Sequence, residues 1–206
     1  MRIDRLVVMV SGGGTNFQAM LDACADGRIG AKVVGVVANK PDIYALERAK
    51  NAGVPAVVIC GKDYENQQAH DRAVIKAIQG FDGQAVVLAG YMSILGPDLV
   101  NSFPIINIHP ALIPSFCGKG YYGRRVHAAV LEYGAKVSGA TVHFVDEGTD
   151  TGPIIMQKCV DVLGDDTPET LAARVLEVEH EILVKSVALL CEGRLEVDGR
   201  RVKIKD

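Results

Sequence analysis

Two rhythms of apolar residues alternate along the first half of the chain. The runs "LVVMV" (6–10), "KVVGVVA" (32–38), "AVVIC" (56–60), "AVVLA" (85–89) and "IINIH" (105–109) read as strands buried on both faces. Between them lie stretches with helical spacing. These are "TNFQAMLDACADG", closed by Gly27; "IYALERAKNAG", with Gly53 as C-cap and Pro55 just beyond; and residues 65 to 79. Strand–helix alternation with Val- and Ile-rich strands predicts the α/β class with a doubly wound, mostly parallel sheet.

The pattern changes after residue 120. "RRVHAAVLEYG" reads as a helix, and "KVSGATVHFV" and "PIIMQKCVDV" as two longer strands, an antiparallel C-terminal portion. "TPETLAARVLEVEHEILVKSVALLCEG" predicts a long C-terminal helix with Thr167 as N-cap and Pro168 at the first helical position. "LEVDGRRVKI" predicts a hairpin on a "DG" turn. With no internal repeat or Pro/Ser linker, residues 1–206 form a single domain, in halves of about 1–104 and 105–206.

Composition narrows the function classes. The chain is 49% apolar and 23% charged with a formal net charge of -3, so it offers no basic footprint for nucleic acid. No apolar run is long enough to span a bilayer and the N-terminus is unlike a secretory signal, which predicts a cytoplasmic protein. The five cysteines (Cys24, Cys60, Cys117, Cys159, Cys191) form no CxxC pair, and no HExxH pattern occurs, so neither a disulfide framework nor a metal is expected.

Four segments carry candidate chemistry. "SGGGTN" is a glycine-rich turn opening onto a helix N-terminus, where backbone N–H groups meet an anion. It fails the dinucleotide fingerprint, since Phe17 stands where Gly or Ala is required, and no Gly-Lys-Ser/Thr follows. A small phosphate held by Gly14, Thr15 and Asn16 is the reading that remains; the alternative is a tight turn needing glycine for backbone reasons alone. In "NIHP", Asn107 and His109 share one face of a strand and emerge at the C-terminal edge of the sheet, where open α/β folds bind ligands. An amide there can donate to a developing oxyanion and an imidazole can move a proton. "VDEGTDTGP" gathers Asp146, Glu147 and Asp150 in a loop between strands. One carboxylate reaching His109 would raise its pKa, and Asp150 is the candidate, unranked against Asp146 by sequence. On the long helix, Leu171, Val175, Val178, Ile182 and Leu189 share a stripe, and Glu179 falls only about 40° from it. A carboxylate there must be paired, hold a ligand's ammonium group, or snorkel at the stripe's edge. His180 is expected to be exposed, and His70, His127 and His143 have no partner at ligand spacing. Cys117 with His109 as a thiol hydrolase is the weakest reading, because a cysteine in a Gly-rich loop is poorly fixed.

Together, "SGGGTNFQA", "VVANKPDIYALERAKNAGV", "LAGYMSIL", "NIHPALIPSF" and "GATVHFVDEGTDTGPII" resemble the glycinamide ribonucleotide (phosphoribosylglycinamide) formyltransferases of purine biosynthesis, across nearly the whole chain. The resemblance implies a Rossmann-like formyltransferase fold and formyl transfer from 10-formyltetrahydrofolate, as co-substrate, to glycinamide ribonucleotide, without metal. It implies that Gly14, Thr15 and Asn16 hold the substrate phosphate and Glu179 lies near the substrate amine. Tyr91, Met92, Ser93, Ile94 and Leu95, with Asp146, Glu147, Gly148, Thr149 and Asp150, would line the folate pocket. Asn107 would hold the formyl oxygen, His109 donate a proton, and Asp150 raise the histidine pKa and orient a water. Gln67, counted with the folate contacts, aligns where relatives often carry a folate-reaching arginine, Ser93 stands where some have arginine, and "CGKGYYGRRVH" is longer than the shortest versions of that loop. The implied partners are the two small molecules, with no nucleic acid or membrane, in a monomer or homodimer. Alternatives are formyltetrahydrofolate hydrolase, which usually carries an N-terminal regulatory domain, and a catalytically silent folate-binding module. A methionyl-tRNA formyltransferase would need a further C-terminal domain and a basic surface.

Overall fold

The computed structural model describes residues 2–205. A nine-stranded sheet in the order β3-β2-β1-β4-β5-β6-β7-β9-β8 forms its centre. The strands β1 (Arg5–Val10), β2 (Lys32–Ala38), β3 (Ala56–Val58), β4 (Ala85–Leu88) and β5 (Ile105–His109) run parallel. Strands β6 (Val137–Phe144) and β7 (Ile154–Asp161) then pair antiparallel, β5 to β6 and β6 to β7. The hairpin β8 (Leu195–Asp198) and β9 (Arg201–Ile204) closes the far edge. Among the described residues no helix is long and apolar enough to cross a membrane.

Strand alternation divides the core into two layers. Leu6, Val8 and Val10 enter the layer of α1 (Thr15–Ala25) and α6 (Pro168–Cys191), with Phe17, Met20, Leu171 and Val175. Val7 and Met9 enter the opposite layer with Val74 and Ile78 of α3 (Gln67–Gly80) and Leu99 of α4 (Pro97–Val100). Burying each such side chain contributes about 1.5–3 kcal/mol. Continuous apolar strands are what a sheet covered on both faces requires. The parallel order leaves β1 and β4 adjacent, so the turns after them open side by side at the C-terminal edge.

Several boundaries shift from the sequence reading. α2 (Tyr44–Asn51) is capped by Ala52, with Gly53 at φ 67 one residue later. The tail turn is Gly199–Arg200, because Asp198 still pairs with Arg201. The one-turn helix α4 is too short to give a periodic signal. α6 starts as expected at Thr167, whose hydroxyl accepts the Thr170 N–H, but it buries more than one stripe. Leu183, Val187 and Leu190 are interior, whereas Leu189 is only partly buried, since the helix packs on β6, β7, α1 and α5 (Arg124–Tyr133). For the same reason His180 is half-buried rather than exposed, and burial lowers its pKa.

Gly35 of β2 lies directly under the Phe81 ring, and an added Cβ would overlap three of its carbons. Gly35→Ala should destabilise the fold by about 1–3 kcal/mol, read as a lower urea midpoint. A smaller ring-site residue (Phe81→Leu) in the same background should recover part of that loss.

Candidate functional site

The site begins where strand direction reverses. In β5, Ile106 and Ile108 enter the α6 layer, which leaves Asn107 and His109 on the opposite face. Antiparallel pairing places Asn107 across from His143 and His109 across from Thr141. His143 donates from Nδ1 to the Phe144 carbonyl (2.8 Å), so its Nε2 accepts from Asn107 Nδ2 (3.1 Å). A carbonyl can only accept, which fixes that tautomer. By the same reasoning His109 carries its proton on Nε2, 2.9 Å from the Phe116 carbonyl, and turns Nδ1 toward Asp150 Oδ2 at 3.5 Å.

Asp150 sits at φ 58 on the turn after β6 and accepts the Gly118 N–H (2.9 Å) with the same Oδ2; its Oδ1 lies 3.7 Å from His143 Nε2. Burial alone would raise this carboxyl, but His143, His109 and the Gly118 N–H together hold it below its ordinary value. His109 is 4% exposed, and desolvation outweighs the upward pull of Asp150 and Phe116, with His143 adding a smaller downward push. Its pKa is therefore lowered, not raised as expected; Asp150 acts in the expected direction without overcoming burial. The resting imidazole is the neutral form, with acceptors already placed at both nitrogens for a second proton. Asp146 has a different job. It accepts from Gly148 N–H (3.1 Å) and the Thr151 hydroxyl, building the turn that presents Asp150.

The glycine turn lies beside α1. Gly14 is its N-cap at φ 70, and no side chain among the described residues caps the helix, so first-turn N–H groups, including those of Thr15 and Asn16, stay free for an anion. Arg48, which the sequence reading did not single out, braces this turn by donating to the Gly13 carbonyl and Gln18 Oε1, each at 2.9 Å. The Asn16 side chain does not face the turn: its Nδ2 donates to Glu179 Oε2 at 2.7 Å, in the interior. An anion would meet Asn16 only through its main chain. Glu179 is 8% exposed, and desolvation pushes its pKa up to about 7 against the pull of the Asn16 bond.

A cavity of about 660 Å³ adjoins these parts; of the predicted phosphate residues Asn16 lines it, while Gly14 and Thr15 lie outside its wall. Its wall includes Asn16, Asn107, His109 and Glu179, residues 91–95 and residues 146–150. Met92 and Ile94 stand 54% and 65% exposed, an apolar flank able to hold a flat ring. Gln67 is not in the wall; its amide is engaged by Asp71 and the Ile94 carbonyl. Two lining histidines were missed: His143, revealed only by β-sheet register, and His127 of α5, whose buried Nδ1 has no partner among the described residues. Cys117 donates to the Pro114 carbonyl, and burial and Asp150 raise its pKa, so it is not an activated nucleophile. Among the described residues no cluster of three or more metal-ligating side chains occurs.

The formyl transferase family's sequence model matches residues 4–187. The chloroplastic phosphoribosylglycinamide formyltransferase of Arabidopsis thaliana is 43% identical over 95% of this chain and 68% of its own length. The Escherichia coli phosphoribosylglycinamide formyltransferase is 36% identical over 96% of this chain and 95% of its own. The crystal structure of glycinamide ribonucleotide transformylase 1 from Symbiobacterium toebii superposes with a TM-score of 0.94 at 44% identity, covering 99% and 95% of the two chains.

Glu179 gives the site a stability signature. A carboxyl whose folded-state pKa is raised contributes fully below its ordinary value, 4.5, and that contribution is lost as pH rises through about 7. Glu179→Gln, which keeps an acceptor for Asn16, should match the parent near pH 4.5 and exceed it above pH 7. Denaturant midpoints measured across that range check this; parallel curves for the two proteins would refute it.

Proposed function

This chain belongs to the formyl transferase family, and on that premise we propose that it transfers the formyl group of 10-formyltetrahydrofolate to the amine of glycinamide ribonucleotide. The observation that carries the reading is the convergence of Asn107, His109 and Asp150 with the buried Glu179 on one cavity. The free first-turn N–H groups of α1, steadied by Arg48, receive the substrate's phosphate, with Thr15 adding its hydroxyl. Residues 91–95 and 146–150 flank the donor's pterin, offering apolar side chains on one side and main-chain polar groups on the other. Glu179 stands near the substrate amine, and a carboxyl with a pKa of about 7 holds an ammonium and then releases it as a neutral nucleophile.

The amine nitrogen attacks the formyl carbon, and the carbonyl electron pair moves onto oxygen. The second N–H of Asn107, the first being given to His143, donates to that oxyanion. His109, protonated on Nδ1 from solvent before the attack, sets its positive charge beside the oxyanion, with Asp150 and the Phe116 carbonyl accepting its two N–H groups, and it returns that proton to solvent after product release. A proton passes from the attacking nitrogen through water beside Asp150 to N10 of the folate. The C–N10 bond then breaks as the carbonyl re-forms, giving formylated ribonucleotide and tetrahydrofolate. Holding both ligands at one sheet edge is itself a large part of the acceleration.

Absorbance of the released folate tests the reading. Release should require the ribonucleotide and fall by about 10²–10³ in His109→Ala and in Asn107→Ala, with Asp150→Asn also severely impaired. Release without ribonucleotide would make the protein a hydrolase, and none under either condition would make it a binding module.

A further inference from the structure

The cavity wall at residues 91–95 is an irregular connection between β4 and α4. Its last ladder bond is Ala89 N–H to the Met9 carbonyl, and beyond it side chains take over. Met92 N–H donates to Ser11 Oγ (2.8 Å), and Asn39 Nδ2 donates to Ser93 Oγ (2.8 Å). Two further ties come from α3. Gln67 Nε2 donates to the Ile94 carbonyl (3.1 Å) and to Asp71 Oδ1 (2.7 Å), while that same Oδ1 accepts the Gly96 N–H (3.2 Å).

Asp71 is 1% exposed, and its only ionic neighbour among the described residues is His70, at 3.8 Å from Oδ1. Burying a carboxylate against amides rather than a cation is unfavourable unless those bonds secure something. What they secure is a wall that presents Met92 and Ile94 outward, an arrangement the hydrophobic effect alone would collapse. Gly96 fits the same account: a Cβ there would overlap Asp71 Oδ2 and the Gln67 side chain, so the backbone is drawn directly onto the pair. Asn66 caps α3 through the Ala69 N–H (2.9 Å), which fixes the first turn carrying Gln67; Asp71 follows one turn later on the same face.

We propose that Gln67 and Asp71 are positioning residues that hold the donor-side wall in its binding shape, acting through Ile94 and Gly96 and not by touching the donor. The assignment of this wall to the donor rests on the transferase reading; the bracing itself does not. The geometry makes one sharp demand. Both bonds to Asp71 end on Oδ1, and Oδ2 has no partner among the described residues. Asparagine therefore supplies everything the clamp uses, and alanine supplies none of it.

The test compares Gln67→Ala, Asp71→Ala and Asp71→Asn with the parent. The two alanine variants should raise the KM for 10-formyltetrahydrofolate by about five- to tenfold, the scale of one or two lost hydrogen bonds. The KM for the ribonucleotide should stay within about twofold, and Asp71→Asn should resemble the parent. Amide hydrogen exchange should quicken at residues 92–96 in both alanine variants and not elsewhere. Gln67 is exposed, so its variant keeps the test open where Asp71→Ala fails to fold. Equal shifts in both KM values, Asp71→Asn behaving like Asp71→Ala, or unchanged exchange at residues 92–96 would each overturn the proposal. A parent inactive with both substrates would instead overturn the transferase reading, and the exchange result would still decide whether the clamp exists.

Discussion

The antiparallel pairing of β5 with β6 is the constraint on which the rest of the site depends. Parallel strands continue through β1, β2, β3, β4 and β5; here the direction reverses, so side chains on two strands meet directly opposite one another. Asn107 meets His143 and His109 meets Thr141. Thr141, fully buried, then fastens the loop that follows His109. Its hydroxyl donates to the Ala111 carbonyl (2.7 Å) and accepts from Ile113 N–H and Gln157 Nε2. That fastening delivers Phe116 and Gly118 to the places where one receives the His109 proton and the other donates to Asp150.

Polar burial around this reversal is extensive, and at Glu179, His109 and Asp71 it has an identifiable use. Burial raises the Glu179 pKa to about 7 against the opposing pull of the amide donated by Asn16, which makes its charge responsive to a cation entering the cavity. His109 is desolvated yet faces acceptors at both nitrogens, so charge is costly at rest and well supported once it forms. Asp71 uses one oxygen to gather two amides from the opposite side of the cavity. Glu179, Asp150 and Asp71 reach one edge of the sheet from α6, the turn after β6, and α3, and none makes a salt bridge to lysine or arginine among the described residues.

The glycine turn and the cavity wall at residues 91–95 share a second constraint, the adjacency of β1 and β4. Ser11 follows β1 and accepts from Met92 beyond β4, so the glycine turn and the wall are joined by one hydrogen bond. Arg48 from α2 and Gln67 from α3 stand behind these two segments in similar ways, each donating to a main-chain carbonyl of the loop it supports. Residues that shape a loop from behind leave no motif, because their partner is a carbonyl that every residue possesses.

Local pattern was enough to determine most elements of this fold, since apolar strands covered on both faces and the Thr167–Pro168 helix start are properties of neighbouring residues. It also placed Asn107 with His109 and put Glu179 about 40° from the buried stripe, because strand and helix periodicities act over a few positions, but left open whether that carboxylate is paired, holds a ligand or snorkels. Tertiary structure decided what depends on register and burial. His143 joins Asn107 only when β5 pairs with β6, and Asp150 is separated from Asp146 only by which of them reaches His109. The Asn16 side chain turns from the glycine turn to Glu179 because α1 packs on α6. The direction of the His109 shift was likewise out of reach of sequence. A charge pair can be guessed from residue types, but desolvation is set by everything that surrounds the ring, and here it outweighs the pair.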